Sequence, residues 1–137
     1  NRNFDCKWQP TSMWRSKEVS AGTAPHSEPE VKALVDFVLS EKPSMVLFWH
    51  SQASAVYASF CEGEISPTTD VLYKAYARAS GYKAEEAFTG YVITGDAGDW
   101  LAKIGVPAIS VELTDHEATE FSRNLKGIEA LFEYFQK

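Results

Sequence analysis

Pro107-Ala108-Ile109-Ser110-Val111-Glu112-Leu113 is the stretch that decides the fold class. A proline opens it, and the apolar residues that follow form a run of the length and composition of a buried strand. Thr114 and Glu117 then have the spacing of a capping box. Phe121, Leu125, Ile128, Phe132 and Phe135 recur with the helical period, which predicts a closing amphipathic helix. A buried strand passing directly into a helix is the repeating step of a layered α/β domain.

Upstream the same alternation recurs. Trp100 to Ile104 reads as a short helix stopped by Gly105, and Pro67 to Ser80 as a longer one stopped by Gly81. On the longer helix Leu72, Ala75, Tyr76 and Ala79 are expected on one face. Ser44 to Trp49 follows Pro43 and predicts another buried strand. Before it, Ser27-Glu28-Pro29-Glu30 has capping-box spacing, with Ser27 as N-cap. Val31, Leu34, Val35 and Val38 then fall on one face of a helix that ends at Lys42-Pro43. Asp5 to His26 shows no period and reads as a long loop. The expected fold is therefore an α/β domain, with helices layered against a sheet.

A chain of 137 residues, 45% of them hydrophobic, suffices for one core, so 1–137 is read as part of one domain. A net charge of -6 argues against a nucleic-acid partner. No apolar run reaches the roughly 18 residues of a membrane span, so no membrane partner is expected. Cys6 and Cys61 either pair, which would point to an oxidising compartment, or remain two reduced thiols. The chain begins at Asn1 without a methionine and reads as cropped or processed.

Two residues stand where an α/β sheet gathers ligands, at or beyond the carboxyl ends of strands: His50 and Glu112. One imidazole alone cannot hold a catalytic zinc, which takes three protein ligands. His26 and His116 have no helical partner and read as surface residues. A carboxylate in a buried run asks for a partner or a proton, and a base tuned by burial is one use for it. Arg2 beside Asn1 offers the fork that binds a carboxylate. Tyr91 lies in a glycine-bounded segment. Asp96 lies in a Gly-Asp-rich stretch that lacks both the ligand spacing of a calcium loop and the lysine of a phosphate loop.

Taken together, Asn1-Arg2-Asn3-Phe4, Ser27-Glu28-Pro29-Glu30, Trp49-His50-Ser51, Tyr91 through Asp99-Trp100, and Val111-Glu112-Leu113 resemble the zinc metallocarboxypeptidase family, in order and approximate spacing. The resemblance spans essentially the whole chain. It implies a layered α/β/α domain with a mixed, largely parallel sheet, incomplete at the N-terminus. It further implies that His50 is a zinc ligand, that Asn1 and Arg2 bind the free C-terminal carboxylate of a peptide substrate, and that Tyr91 closes over the terminal residue. Ser51 and Asp96 join the substrate-binding set, and Glu112 becomes the general base. In such an enzyme zinc acidifies its water and polarises the scissile carbonyl, while the carboxylate moves the proton.

The first two zinc ligands of the family, a His-x-x-Glu motif, have no counterpart here. The chain is thus expected to be the C-terminal part of one catalytic domain, to need its N-terminal half as partner, and to be inactive alone. Secreted or periplasmic localisation is the expectation. A cell-wall muropeptide peptidase or a deacylase of the same fold is an alternative. So is a binding module that has lost catalysis, although such a relic need not keep Glu112, His50 and Tyr91 together.

Overall fold

Strand β3 (Val46–Ser51) and strand β6 (Ala108–Leu113) run parallel, with Val46 opposite Ala108 and Ser51 opposite Leu113. They belong to a computed structural model that describes residues 2–14 and 16–136. Strand β4 (Ala55–Ala58) lies antiparallel on the other side of β6, and β5 (Lys83–Glu85) runs parallel to β4. The sheet order is β3-β6-β4-β5, mixed but largely parallel.

Helices cover both faces. Strand side chains alternate, so Ile109, Val111, Val56 and Leu47 point to one side, where they pack with helix α2 (Pro67–Ser80) and helix α4 (Phe121–Phe135). Ala108, Val46 and Phe48 point to the other, against helix α1 (Pro29–Glu41) and helix α3 (Ala97–Lys103). The α/β/α layering is therefore as expected.

Several local expectations change. The loop over 5–26 contains a hairpin, β1 (Thr11–Trp14) with β2 (Lys17–Ser20). Its strands are mostly polar, so no apolar alternation marks them in the sequence. Helix α1 is not closed by a Ser27–Glu30 box: Glu28 is the N-cap and no side chain caps from that position. The buried Asn3 does that work from a distance, its Oδ1 accepting from the Glu28 N–H at 3.0 Å. The Ser27 hydroxyl instead accepts from the Thr23 N–H and from Asn3 Nδ2. Strand β3 runs two residues past Trp49 and forms a sheet edge, so Trp49 is half exposed rather than buried.

Helix α2 keeps its predicted bounds, with Gly81 in the left-handed conformation (φ 75°) that ends it. Its inward face includes Thr69, Tyr73 and Ala77, beside Leu72 and Tyr76. Helix α3 begins at Ala97, three residues earlier than expected. The Thr114–Glu117 box does not form: the Asp115 carboxylate takes the Glu117 and Ala118 N–H groups, and α4 starts after Glu120.

The inward face of α4 is also rotated from the predicted stripe. Asn124, Gly127 and Leu131 are buried, whereas Phe121 is 70% and Phe132 63% exposed. Polar satisfaction and close approach decide this. Asn124 Oδ1 accepts from the Tyr76 hydroxyl at 2.7 Å and from Trp49 Nε1 at 3.3 Å, and its amide donates to the Thr119 and Glu120 carbonyls. Gly127 lets the Tyr76 ring sit directly on the helix. The hydrogen-bonded network around Asn124 and the close approach at Gly127 hold this face inward.

Candidate functional site

His50 and Glu112 are register partners across the parallel β3–β6 pair. Paired residues of adjacent strands share a face, so both side chains project to the α1/α3 side, with Ser110 two residues before Glu112 and Tyr57 opposite Ser110. That face opens into a cleft of about 750 Å³ lined by His50, Glu112, Ser110 and Tyr57. Arg2, Tyr91 and Asp96 line the same cleft. Residues far apart in sequence thus meet in one concavity, where ligand sites usually form.

Local structure fixes the Arg2 side of the cleft. The Phe4 N–H donates to the Gly95 carbonyl at 3.0 Å, and the Gly95 N–H to the Cys6 carbonyl at 2.8 Å. The two segments therefore lie side by side like paired strands. Gly95 is required there: its φ is 63°, and a Cβ would collide with the Arg2 carbonyl. Cys6 and Cys61 are disulfide-bonded, which fastens the Arg2 segment to the connection between β4 and α2. The Arg2 guanidinium carbon stands 5.7 Å from the Tyr91 ring centroid, within cation–π range. Tyr91 is 53% exposed, and its ring packs edge-on to Phe88, which in turn meets Tyr57.

Glu112 is a partly buried carboxylate on this cleft. Burial raises its pKa above the ordinary glutamate range, while the His50 and His116 imidazoles pull it partly back. Asp99, also on the cleft, is pushed up to about 6 by burial and then by the Asp96 charge, opposed by the Phe60 N–H and Lys7. Asp96 is the N-cap of α3, its Oδ1 accepting from Gly98 and Asp99 N–H groups at 2.7 and 3.2 Å. It therefore braces its turn and lines the cleft at once.

The other predicted site residues lie differently. Ser51 does not line the cleft; its hydroxyl pairs with His116 Nδ1 at 2.6 Å. Asn1 lies outside the described residues. His26, expected at the surface, is half buried: its Nε2 accepts from the Asp5 N–H at 3.1 Å and its ring packs edge-on to Trp100.

Sequence reading missed Asp99, Ser110, Tyr57 and Phe88 as cleft residues. The period of two along β6 could have found Ser110, and the three-residue step from Asp96 could have found Asp99. Only strand pairing brings in Tyr57.

His50 is a single imidazole. Among the described residues no group of three or more His, Cys, Asp or Glu side chains is arranged to hold a metal. The described part of the chain does not fit a complete catalytic zinc site, which takes three protein ligands.

A family model described as zinc carboxypeptidase matches residues 1–133. Human carboxypeptidase O is 28% identical over 131 residues, covering 84% of this chain and 35% of its own length. Gamma-D-glutamyl-L-diamino acid endopeptidase 1 of Lysinibacillus sphaericus is 27% identical over 119 residues, 82% of this chain and 29% of its own. Carboxypeptidase A from Helicoverpa armigera superposes with a TM-score of 0.77 at 18% identity, covering 97% of this chain and 40% of that structure. The chain therefore spans about a third of the length of these curated relatives. With the match extending over residues 1–133, the chain belongs to the zinc carboxypeptidase family.

Proposed function

We propose that this chain is the substrate-binding and general-base part of a zinc-dependent carboxypeptidase that removes C-terminal residues from peptides. One observation carries the reading: His50 and Glu112 stand side by side on a cleft that Arg2 and Tyr91 also line. Arg2, with Asn1, binds the free terminal carboxylate through its planar fork of donors. That contact selects the last peptide bond and holds it over the strand ends. Tyr91 covers the terminal residue. Glu112, its pKa raised by burial, takes the proton of the attacking water and returns it to the leaving amine.

His50 is proposed as one ligand of a zinc ion, with two further protein ligands supplied by the N-terminal half of the domain. Ser51 follows His50 in the chain and is tied to His116 rather than lining the cleft. The Cys6–Cys61 disulfide supports a secreted or periplasmic location, since such bonds persist in oxidising compartments. Among the described residues no helix is long and apolar enough to cross a membrane.

The decisive experiment is Glu112→Gln in the complete enzyme, assayed on a blocked dipeptide acid and its amide. The acid should be the substrate, and the variant should lose roughly 10²–10⁴-fold in kcat with KM little changed. Full activity in the variant would remove Glu112 from the mechanism. The isolated 137-residue chain should neither bind stoichiometric zinc nor turn over substrate.

A second reading, a peptidase for cell-wall peptides ending in a diamino acid, is favoured by the two carboxylates Asp96 and Asp99 on the cleft and by the Lysinibacillus sphaericus relative. Asp96→Asn removes charge while keeping a capping side chain. It should lower the preference for cationic terminal residues; an unchanged terminal-residue profile excludes this role for Asp96.

A further inference from the structure

We propose that Ser12, on the β1–β2 hairpin, is the positioning residue that aims the Arg2 guanidinium at a ligand carboxylate. The inference rests on the carboxylate-binding reading of Arg2 and extends the site to an element with no residue in the strand-end chemistry. Arg2 Nη1 donates to Ser12 Oγ at 2.9 Å. The same oxygen receives the Thr94 hydroxyl at 3.3 Å. Thr94 lies three residues after Tyr91, in the segment that the Gly95 pairing fastens to the Arg2 backbone. Ser12 therefore accepts from both segments that form this wall of the cleft, and both Arg2 and Thr94 line it.

The chemistry of the acceptor matters. Among the described residues the ion pairs are Lys74–Asp70, Lys83–Glu85, Lys103–Asp5 and Arg123–Glu120, and none involves Arg2. A hydroxyl uses one of the five guanidinium N–H donors and fixes the plane of the group without neutralising it. A carboxylate in the same place would hold the arginine as firmly but compete with the ligand. The Tyr91 face, 5.7 Å from the guanidinium carbon, adds a second neutral restraint. Ser12 is itself fixed by strand pairing, opposite Val19 in the antiparallel hairpin. Its oxygen is therefore carried on a hydrogen-bonded ladder rather than on a free loop.

The test is a titration of the full 137-residue chain with N-acetyl-L-phenylalanine and its C-terminal amide, followed by amide chemical shifts. Wild type should prefer the acid. Ser12→Ala should weaken acid binding about tenfold, the scale of one hydrogen bond to a charged group, and leave amide binding unchanged. Ser12→Thr keeps the hydroxyl on a residue suited to strands and should stay within about twofold of wild type. Ser12→Asp should erase the preference for the acid by pairing with Arg2. A role in hairpin stability alone would shift acid and amide affinities together.

Equal acid affinity in Ser12→Ala and wild type would overturn the proposal. Should Ser12→Ala fail to fold, the Thr and Asp variants decide: retention in both, or loss in both, overturns it. A wild-type chain that does not distinguish acid from amide refutes the carboxylate reading itself, a result separable from failure of Ser12.

Discussion

Reducing the Cys6–Cys61 disulfide should remove about 4 kcal/mol of this chain's stability. The bond joins residues 55 apart and closes a loop containing β1, β2, α1, β3 and β4. In the chain-entropy treatment, the cross-link denies the unfolded chain an entropy of about 2.1 + 1.5R ln n cal/mol/K. With n taken as that separation, this amounts to about 4 kcal/mol at 25 °C. Marginally stable domains have only about 5–15 kcal/mol in total. Both cysteines are buried in the cluster shared by Phe4, Val35 and Trp100, so reduction leaves the packing in place and acts chiefly on the unfolded state. The assay is urea unfolding of oxidised and reduced wild type, followed by intrinsic fluorescence. The midpoint should fall, and the m-value should rise because the released chain exposes more surface. A reduced protein within about 1 kcal/mol of the oxidised one would refute the reasoning, as would two titratable thiols in the untreated protein.

Asp99 gives a pH-dependent expectation. Its pKa is raised to about 6, so between the ordinary aspartate value of 3.8 and about 6 the folded state holds more proton than the unfolded one, and stability falls as pH rises through that window. Asp99→Asn should therefore gain stability relative to wild type at pH 7 and lose that advantage at pH 3.5, read from urea midpoints. Gly127→Ala should destabilise by about 1–3 kcal/mol, because the new methyl meets the Tyr76 ring; an unchanged melting temperature would contradict this. Arg123 donates to the Ser80 and Gly81 carbonyls and lies 3.5 Å from the Tyr82 ring centroid, joining the end of α2 to the start of α4. Arg123→Ala should cost about 2 kcal/mol, while Arg123→Lys recovers only part of it, since the planar fork and its stacking are lost.

Helix α2 and strand β6, each marked by a local rule, were legible. Helix α2 has a proline at its first position and a glycine at its end, and β6 is an apolar run bounded by Pro107. Elements held by distant partners were not. Asn3 caps α1 from the far side of a long turn, and the polar hairpin has no apolar rhythm. The inward face of α4 follows from Asn124 and Gly127 meeting Tyr76, not from the phenylalanine period.

For the site, residue types alone determined the chemistry on offer: a carboxylate in a buried strand, a strand-end imidazole, an arginine fork and a phenol. Short motifs in order were enough to identify the family, because each residue type is tied to a function that few others can serve. Sequence could not decide that His50 and Glu112 are register partners, since a parallel pairing joins segments separated by two helices and a strand pair. Nor could it set Arg2 over Tyr91 or bring Ser12 beneath it, because both depend on the Gly95 pairing and the hairpin. Side-chain chemistry is a property of the residue, whereas its direction, burial and neighbours arise only when strands pair and helices pack.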